Sequence, residues 1–242
     1  MKLELERIPV WDGVRSGSEC YICDLMGEAE SDAIAFYLGS SVMNPETRVR
    51  VNESGFCTTH WQLLLAANKS QGLSLMTDTY LAATRARMQG SLADLSRAKG
   101  RWGAKAAVAR FKEQLAEREA GCLACTAMEG RLQRYLFTTA YLWEQEEEFR
   151  AALLASKGFC LHHFSLLLEW GLEAISKSRS DAFVSEMTRL ETENLDRIAH
   201  DLHWMTQMHK SENRGKEWNG SEDAHRRGVD KMTGLHRVID PV

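Results

Sequence analysis

The chain has 242 residues, of which 44% are hydrophobic and 26% are charged, a composition typical of a globular protein rather than a disordered one. Its net charge of −4 and pI near 6.1 argue against a protein whose whole surface is directed at nucleic acid. The sequence contains no run of about 18 apolar residues, so we predict no membrane-spanning helix and no membrane partner.

The sequence favours helix along most of its length. Three prolines interrupt it, and the long stretches between them are rich in Ala, Leu, Glu, Arg and Met. No sustained two-residue alternation indicates a sheet, although Val49 and Val51 allow one short extended piece. We therefore predict an all-α protein. In chain order, the predicted helices span residues 20–38, 57–68, 72–88, 104–120, 125–143, 160–175, 180–210 and 223–235.

All six cysteines belong to a pattern that occurs twice. A Cys-x-x-Cys pair precedes a Gly-Phe-Cys-x-x-His motif, with 37 residues from Cys20 to Cys57 and 38 from Cys122 to Cys160. The two copies are offset by 102 to 103 residues. We therefore predict two pseudo-repeated helical units, each with its own metal-binding site, at residues 1–103 and 104–212. A polar tail, residues 213–242, is expected to dock on the body.

The residue types in this pattern suit zinc. A Cys and a His three positions apart at a helix start project from the same face, and the helix N-terminus favours thiolate over thiol. Three thiolates and a neutral imidazole fill a tetrahedral Zn²⁺ site and leave no open position for catalysis. We predict two structural zinc ions with pairing inside each unit, while a swap that joins Cys20 and Cys23 to Cys160 and His163 stays open. The predicted ligands are Cys20, Cys23, Cys57 and His60 in one unit and Cys122, Cys125, Cys160 and His163 in the other.

Other uses of the cysteines are weighed against zinc. The first residues lack the apolar core of a signal peptide, so we expect a cytoplasmic protein in which thiols stay reduced. The alternatives are a dithiol redox role, an iron–sulfur cluster held through the Cys-x-x-Cys pairs, or buried cysteines without a ligand. The sequence shows no Gly-rich phosphate loop, Ser-His-Asp order or paired-carboxylate signature. We therefore favour a non-enzymatic accessory protein with a protein partner.

One basic segment stands out in this acidic chain. Residues 84–112 hold eight basic side chains and a single acidic one, Asp94, for a net charge of +7, with Trp102 in the middle. One interpretation is an anionic partner such as nucleic acid. The other is an exposed connection that pairs with acidic residues such as those at 144–148. Because the chain as a whole is acidic, we favour the second. The basic residues are Arg85, Arg87, Arg97, Lys99, Arg101, Lys105, Arg110 and Lys112.

Further histidines are weaker ligand candidates. His162 replaces Thr59 of the first copy, and by register His163 is the ligand while His162 lies beside the site or on the surface. His200 and His203 are three apart on the long predicted helix with Asp201 between them. We predict that these two are solvated rather than metal-bound.

Several short motifs together resemble an uncharacterised bacterial family of domains of unknown function. They are Phe36-Tyr37-Leu38-Gly39, Met43-x-Pro45-x-x-Arg48, the first Gly-Phe-Cys-x-x-His and Gly72-Leu73-x-Leu75-Met76. The family also has the second cysteine unit and a tail Trp followed by a Ser-x-Asp-Ala-like segment, here Trp218 and residues 221–224. Trp61 departs from the family, which usually has Phe. The resemblance covers most of the chain, implies that the cysteines and histidines act together, and brings no activity.

Overall fold

The computed structural model describes residues 4–235, and these residues are helical with no strand, which confirms the all-α prediction. Three short 3₁₀ turns, at Ser40–Met43, Lys177–Arg179 and Ser211–Asn213, separate some of the helices. No described helix is both long enough and apolar enough to span a bilayer. The α-helices are α1 (Glu4–Arg15), α2 (Tyr21–Tyr37), α3 (Pro45–Ser54), α4 (Thr58–Ala66), α5 (Ser70–Arg97), α6 (Gly100–Glu119), α7 (Leu123–Gln145), α8 (Glu147–Leu154), α9 (Leu161–Ala174), α10 (Ser180–Met208) and α11 (Ala224–Thr233).

The segment around Val49 and Val51 is helical, so the expected extended piece is wrong. Pro45 occupies the first turn of α3, where its missing N–H costs nothing. The Asn44 side chain caps the same end by accepting hydrogen bonds from the backbone N–H groups of Glu46 and Thr47, at 2.8 and 3.3 Å. These start signals outweigh the preference of the two valines for strand.

The chain forms two compact units, and in the sequence unit 2 lies between the two segments of unit 1. Unit 1 combines the residues up to Ala29 with those from Glu129 onward, and unit 2 comprises Glu30–Met128. The core of unit 1 includes the fully buried Tyr21, Trp143, Phe149, Phe159 and Phe183.

The core of unit 2 is built around a row of aromatic rings. Tyr37 contacts Phe56, Phe56 contacts Trp61, and Trp61 contacts Tyr80, with ring centroids 4.9 to 5.1 Å apart. Arg118 caps the row by placing its guanidinium 3.8 Å from the centroid of Tyr80. The row therefore joins α2, α4 and α5 and leads directly to the start of α4, which carries Cys57 and His60.

Helices α5 and α6 form an antiparallel hairpin within unit 2. The residues beyond its base, 84–118, are called the arm below. Arg118 donates to Thr84 Oγ1 at 3.0 Å, and Gln114 donates to the Arg87 carbonyl at 2.9 Å. Between residues 85 and 117 only Ala107 is buried among the described residues, so the arm is a two-helix layer with little core of its own.

The last predicted helix is confirmed as α11, which packs against α9 and α10 in unit 1. Trp218, in the turn before it, is half-buried with its ring 6.1 Å from that of His209. The end of α11 brings Gly234 and Leu235 next to two cysteine sulfurs, so this helix belongs to the surroundings of a candidate site.

Candidate metal centres

The structure gathers the eight predicted ligands into two groups of four. Within each group the candidate ligand atoms lie within 4.8 Å of one another, so each group could hold one metal ion. The first tetrad is Cys20, Cys23, Cys160 and His163, all in unit 1. The second tetrad is Cys57, His60, Cys122 and Cys125, all in unit 2.

The predicted pairing inside each sequence repeat is therefore wrong, and the swapped arrangement is the observed one. Each tetrad takes its Cys-x-x-Cys pair from one repeat and its Cys-x-x-His pair from the other. The lengths of the helices explain the exchange. Helix α2 has 17 residues and carries the chain about 25 Å from Cys20, whereas α3 has ten residues and can cover at most about 15 Å in any direction. The first Cys-x-x-His therefore does not return to the start of α2.

The first tetrad has the internal distances of a four-coordinate site. The sulfurs of Cys20, Cys23 and Cys160 each lie 3.4 Å from His163 Nδ1, and the sulfurs of Cys23 and Cys160 lie 3.8 Å apart. Tetrahedral zinc, with Zn–S bonds of about 2.3 Å and Zn–N bonds of about 2.0 Å, requires separations of about 3.8 Å between sulfurs and about 3.5 Å between sulfur and nitrogen. The residues present thus fit a single tetrahedral ion.

The second tetrad repeats this geometry. His60 Nδ1 lies 3.1 Å from the sulfur of Cys57 and 3.4 Å from those of Cys122 and Cys125. The sulfurs of Cys57 and Cys125 are 3.9 Å apart. In both tetrads the imidazole presents Nδ1, so Nε2 would carry the proton of a neutral ligand.

Helix starts position every ligand. Cys57 and Cys160 are the N-cap residues of α4 and α9, and His60 and His163 follow in the first turn of those helices. Cys20 and Cys122 immediately precede α2 and α7. Two helix N-termini therefore converge on each tetrad, and their partial positive charge favours thiolates. Local N–H groups add to this, because the backbone N–H of His163 donates to Cys160 Sγ at 3.4 Å and that of Cys125 donates to Cys122 Sγ at 3.4 Å.

The glycine of each Gly-Phe-Cys motif adopts a left-handed backbone. The φ angles are +67° at Gly55 and +72° at Gly158, which a residue with a side chain rarely adopts. A Cβ at Gly55 would lie 2.4 Å from the ring of Tyr80, and one at Gly158 would lie 2.8 Å from a carboxylate oxygen of Glu191. Both glycines therefore allow a tight approach that brings the following Phe into the core and the Cys to the site.

In the metal-free tetrads the histidines and cysteines interact strongly, so that the imidazoles hold protons while Cys122 is a thiolate. Burial lowers the pKa of His60, but hydrogen bonds and charge from Cys122 and Cys57 outweigh it and raise the pKa to about 9. Burial likewise opposes protonation of His163, yet Cys160 and Cys23 raise its pKa to about 9. A hydrogen bond from Cys125 lowers the pKa of the Cys122 thiol to about 3, so at neutral pH it is a thiolate.

The two tetrads differ in their exposure to solvent. In the first tetrad Cys20 and Cys23 are 6% and 1% exposed, and Cys160 and His163 are 0% exposed. In the second tetrad only His60 is buried, while Cys57, Cys122 and Cys125 are half-buried. Solvent and small reagents therefore reach the second tetrad more readily.

The C-terminal end of α11 covers the first tetrad. The backbone N–H of Leu235 donates to Cys23 Sγ at 3.3 Å. A Cβ built on Gly234 would lie 3.0 Å from Cys160 Sγ. Sequence reasoning missed this contact, because nothing in the tail separates a helix that covers a site from any other surface helix.

A buried ion pair supports the loop that carries Cys160. Lys231 Nζ, on α11, donates to the carbonyls of Glu19 and Lys157 and lies 3.8 Å from Glu191 Oε1. Glu191 in turn accepts the backbone N–H of Phe159 at 3.0 Å. The sequence did contain a signal for Glu191, which is a carboxylate at a position on the buried stripe of α10. It lies four residues after the buried Met187 and seven before the buried Ile198.

Glu30 is a second residue that sequence reasoning missed. Its Oε1 lies 3.4 Å from His60 Nε2, on the ring side opposite the cysteines. A carboxylate that accepts the N–H of a metal-binding imidazole orients the ring and increases its basicity. Glu30 lies at ion-pair distance for this, although His60 Nε2 makes no hydrogen bond among the described residues. Glu30 is one of several acidic residues on α2, so the sequence did not indicate this role.

The other candidate histidines lie outside the tetrads. The ring of His162 contacts that of His163 at 5.3 Å and belongs to no ligand group, as predicted from the register. His200 is exposed beside Asp201, whose other oxygen binds Arg227 at 2.8 Å. Among the described residues neither His200 nor His203 belongs to a group that could hold an ion.

Comparison with known proteins gives a family match over nearly the whole chain. The profile of a family of unknown function, DUF6062, matches residues 1–238. The chain belongs to this family. The family description carries no activity or ligand. No curated protein and no solved structure matches the chain.

Proposed function

We propose that this member of DUF6062 is a non-enzymatic interaction protein in which each tetrad holds one structural Zn²⁺. The geometry of the tetrads supports this proposal most directly. Each consists of three sulfurs and one imidazole nitrogen at tetrahedral spacing, so every position around one ion is filled by protein. Such a site stabilises the fold and leaves no position for a substrate or an activated water.

The compactness of each tetrad supports a single ion over an iron–sulfur cluster. In a cluster, the protein ligands are divided among two or more irons, so the ligand atoms are spread around the cluster rather than around one point. Here the four ligand atoms lie within 4.8 Å of one another. Thiolate and imidazole ligands in tetrahedral arrangement are those that zinc prefers.

An interaction role is supported by the surface of unit 2. Of the fifteen large apolar side chains that are exposed among the described residues, nine belong to unit 2. Single exposed apolar residues are ordinary, so the support comes from the number of them in unit 2 rather than from any one side chain. The nine are Phe36, Met43, Val49, Leu65, Leu75, Leu81, Leu92, Trp102 and Val108.

Element analysis of freshly purified, untagged protein tests the metal. We expect about two zinc ions per chain and a colourless protein. Its six thiols should not cycle between the reduced and the disulfide form. Stoichiometric iron with visible absorption would instead identify an iron site. Reversible disulfide formation without metal would identify a dithiol redox protein.

Single ligand substitutions test the swapped pairing. Cys57→Ala should expose Cys122 and Cys125 to alkylation and leave Cys20 and Cys23 protected. Cys160→Ala should have the converse effect. Mass spectrometry of alkylated peptides distinguishes the two patterns. If Cys57→Ala instead deprotected Cys20 and Cys23, the ligands would pair within each repeat and the arrangement described above would be rejected.

A further inference from the structure

The arm of unit 2 concentrates positive charge on a chain that is otherwise acidic. Residues 84–112 carry +7, so the rest of the chain carries −11, the difference from the total of −4. All eight basic side chains of this segment are exposed. This separation of charge is an electrostatic footprint for a polyanion at one place on the molecule.

Most of these cations are not neutralised by their surroundings. Arg110 forms an ion pair with Asp94 at 3.2 Å, and Arg87 donates to the Glu53 carbonyl at 2.9 Å. The other six have no ion pair within unit 2 among the described residues. Of the acidic residues once expected to pair with them, Glu146 binds Arg7 and Glu144 accepts hydrogen bonds from Ser176. Both of these interactions lie inside unit 1.

Helix α6 aligns three of the cations on one face. Arg101, Lys105 and Lys112 follow the i, i+4, i+11 spacing of a single helical stripe, which spans about 16 Å. Between them the side chains of Ala104, Val108 and Ala109 leave a shallow open groove along the surface of this one helix. The groove therefore offers a line of point charges with room between them for a flexible backbone.

An exposed ring stands at the end of this stripe. Trp102 is 85% exposed, next to the turn at residues 98–99, and Lys105 Nζ lies 5.8 Å from its ring centroid. Burying such a ring normally contributes to stability, whereas this one lies almost entirely in solvent. A solvent-facing indole flanked by cations is the combination on which unpaired bases stack.

We propose that the arm binds single-stranded nucleic acid, with phosphates along Arg101, Lys105 and Lys112 and a base stacked on Trp102. An acidic protein helix fits less well, because the groove offers only small side chains and no deep apolar pocket to anchor it. A membrane surface also fits less well, because Trp102 and Val108 lie about 120° apart around α6 and do not form one apolar face. Paired bases would not leave a face free to stack on the indole.

The test uses the full-length, metal-loaded protein and a fluorescent oligothymidylate of about 16 nucleotides. Anisotropy should report binding that weakens with salt, with a slope of log K against log salt of about −0.7 per phosphate contacted. Replacing Arg101, Lys105 and Lys112 with Glu should abolish binding. A control with Lys177, Lys210 and Arg214 replaced by Glu makes the same change in net charge at exposed positions outside the arm and should retain binding.

Substitutions of the ring separate stacking from charge. Trp102→Ala should weaken binding by about tenfold or more at fixed salt without changing the salt slope, whereas Trp102→Phe should keep most of the affinity. Helicity and zinc content, measured on every variant, establish that the fold is intact. The proposal is overturned if the full-length protein does not bind the oligonucleotide at low salt, or if both charge variants weaken binding equally. Preferential binding to the matched duplex, or to phosphatidylserine vesicles instead of the oligonucleotide, would also overturn it.

Discussion

At the scale of single residues, Gly234 shows how closely the tail approaches the first tetrad. Its φ is +75° and its virtual Cβ lies 3.0 Å from Cys160 Sγ. Gly220 has nearly the same φ, +76°, but its virtual Cβ meets nothing within 4 Å. The two positions therefore share a positive φ, which a side chain would strain, and differ in contact with the site.

We expect Gly234→Ala to destabilise the protein more than Gly220→Ala. Both substitutions place a side chain at a positive φ, at a cost on the order of 1–3 kcal/mol. Only the first also displaces a ligand sulfur, so only it should accelerate loss of metal from the first tetrad. Urea unfolding and transfer of zinc to a coloured chelator measure the two effects. Equal behaviour of the two variants would show that Gly234 does not constrain the site.

Glu30→Gln should weaken metal binding at the second tetrad and leave the first unchanged. Loss of a carboxylate that orients a ligating imidazole typically costs about 10- to 100-fold in metal affinity. Glu28→Gln is the matched control, because Glu28 is exposed on the same helix and belongs to neither tetrad. Competition with a chelator of known affinity gives the values. Similar zinc affinities for the two variants would count against a role for Glu30.

Metal binding should release protons in a pH-dependent way. In the metal-free fold the pKa values of His60 and His163 are about 9, so at neutral pH each imidazole must lose a proton before Nδ1 binds an ion. Calorimetry in buffers of different ionisation enthalpy should therefore show the number of protons released per ion falling by about one between about pH 7.5 and about pH 10.5. A constant count would contradict these pKa values.

The same pKa values predict the stability of the metal-free protein. The folded-state pKa of each histidine is raised above its unfolded value of about 6.5. The protonated histidines therefore contribute their full stabilisation of the fold below about pH 6.5. This stabilisation is lost as the pH rises through about 9.

At the scale of helices, α11 connects the tail to the loop of the first tetrad through the buried Lys231 and Glu191. Burial lowers the pKa of Lys231 and raises that of Glu191, so removal from water works against both charges. A buried pair of this kind contributes little net stability when intact but costs much when one partner is removed.

Lys231→Met should therefore be more harmful than the double change Lys231→Met with Glu191→Gln. The single variant leaves a buried carboxylate without its cation, at an expected cost of about 3–5 kcal/mol. In the double variant a neutral amide can still accept the Phe159 N–H, so part of the stability should return. Urea denaturation of the single and double variants tests this. A double variant no more stable than Lys231→Met would contradict the ion-pair argument.

The lengths and ends of the helices also limit which parts of the structure could be predicted from the sequence. The eight ligands were recognisable because their residue types and spacing occur twice. Their pairing was not, because it depends on how far α2 carries the chain relative to α3, and periodicity locates helix ends only to within a few residues. Helix α5 shows the same limit, since its pattern predicted an end at residue 88 whereas the helix continues through Gly90 to Arg97.

At the scale of the whole molecule, the two tetrads are alike in chemistry and unlike in exposure. The first is enclosed by the core of unit 1 and the end of α11, whereas three ligands of the second are half-buried. The two ions should therefore differ in kinetic accessibility even where their affinities are similar.

Limited alkylation of the zinc-loaded protein should modify the cysteines in two phases. Cys57, Cys122 and Cys125 should react first, with loss of about one zinc ion per chain, and Cys20, Cys23 and Cys160 should follow only when unit 1 opens. Peptide mass spectrometry with parallel zinc release resolves the phases. Simultaneous modification of all six would mean that the chain opens as one cooperative unit.

One tetrad is nested inside the other along the chain, because the second joins residues 57–125 and the first joins residues 20–163. On the ribosome the inner set of ligands is complete once Cys125 has emerged, and the outer set waits for 38 more residues, up to His163. At about 5–20 residues per second this delay is roughly 2–8 s. Once the inner loop is closed, fewer free residues separate the ligands of the first tetrad. Closing the outer loop therefore costs less conformational entropy. The nesting thus gives a newly made chain a built-in order of assembly, from the middle outward.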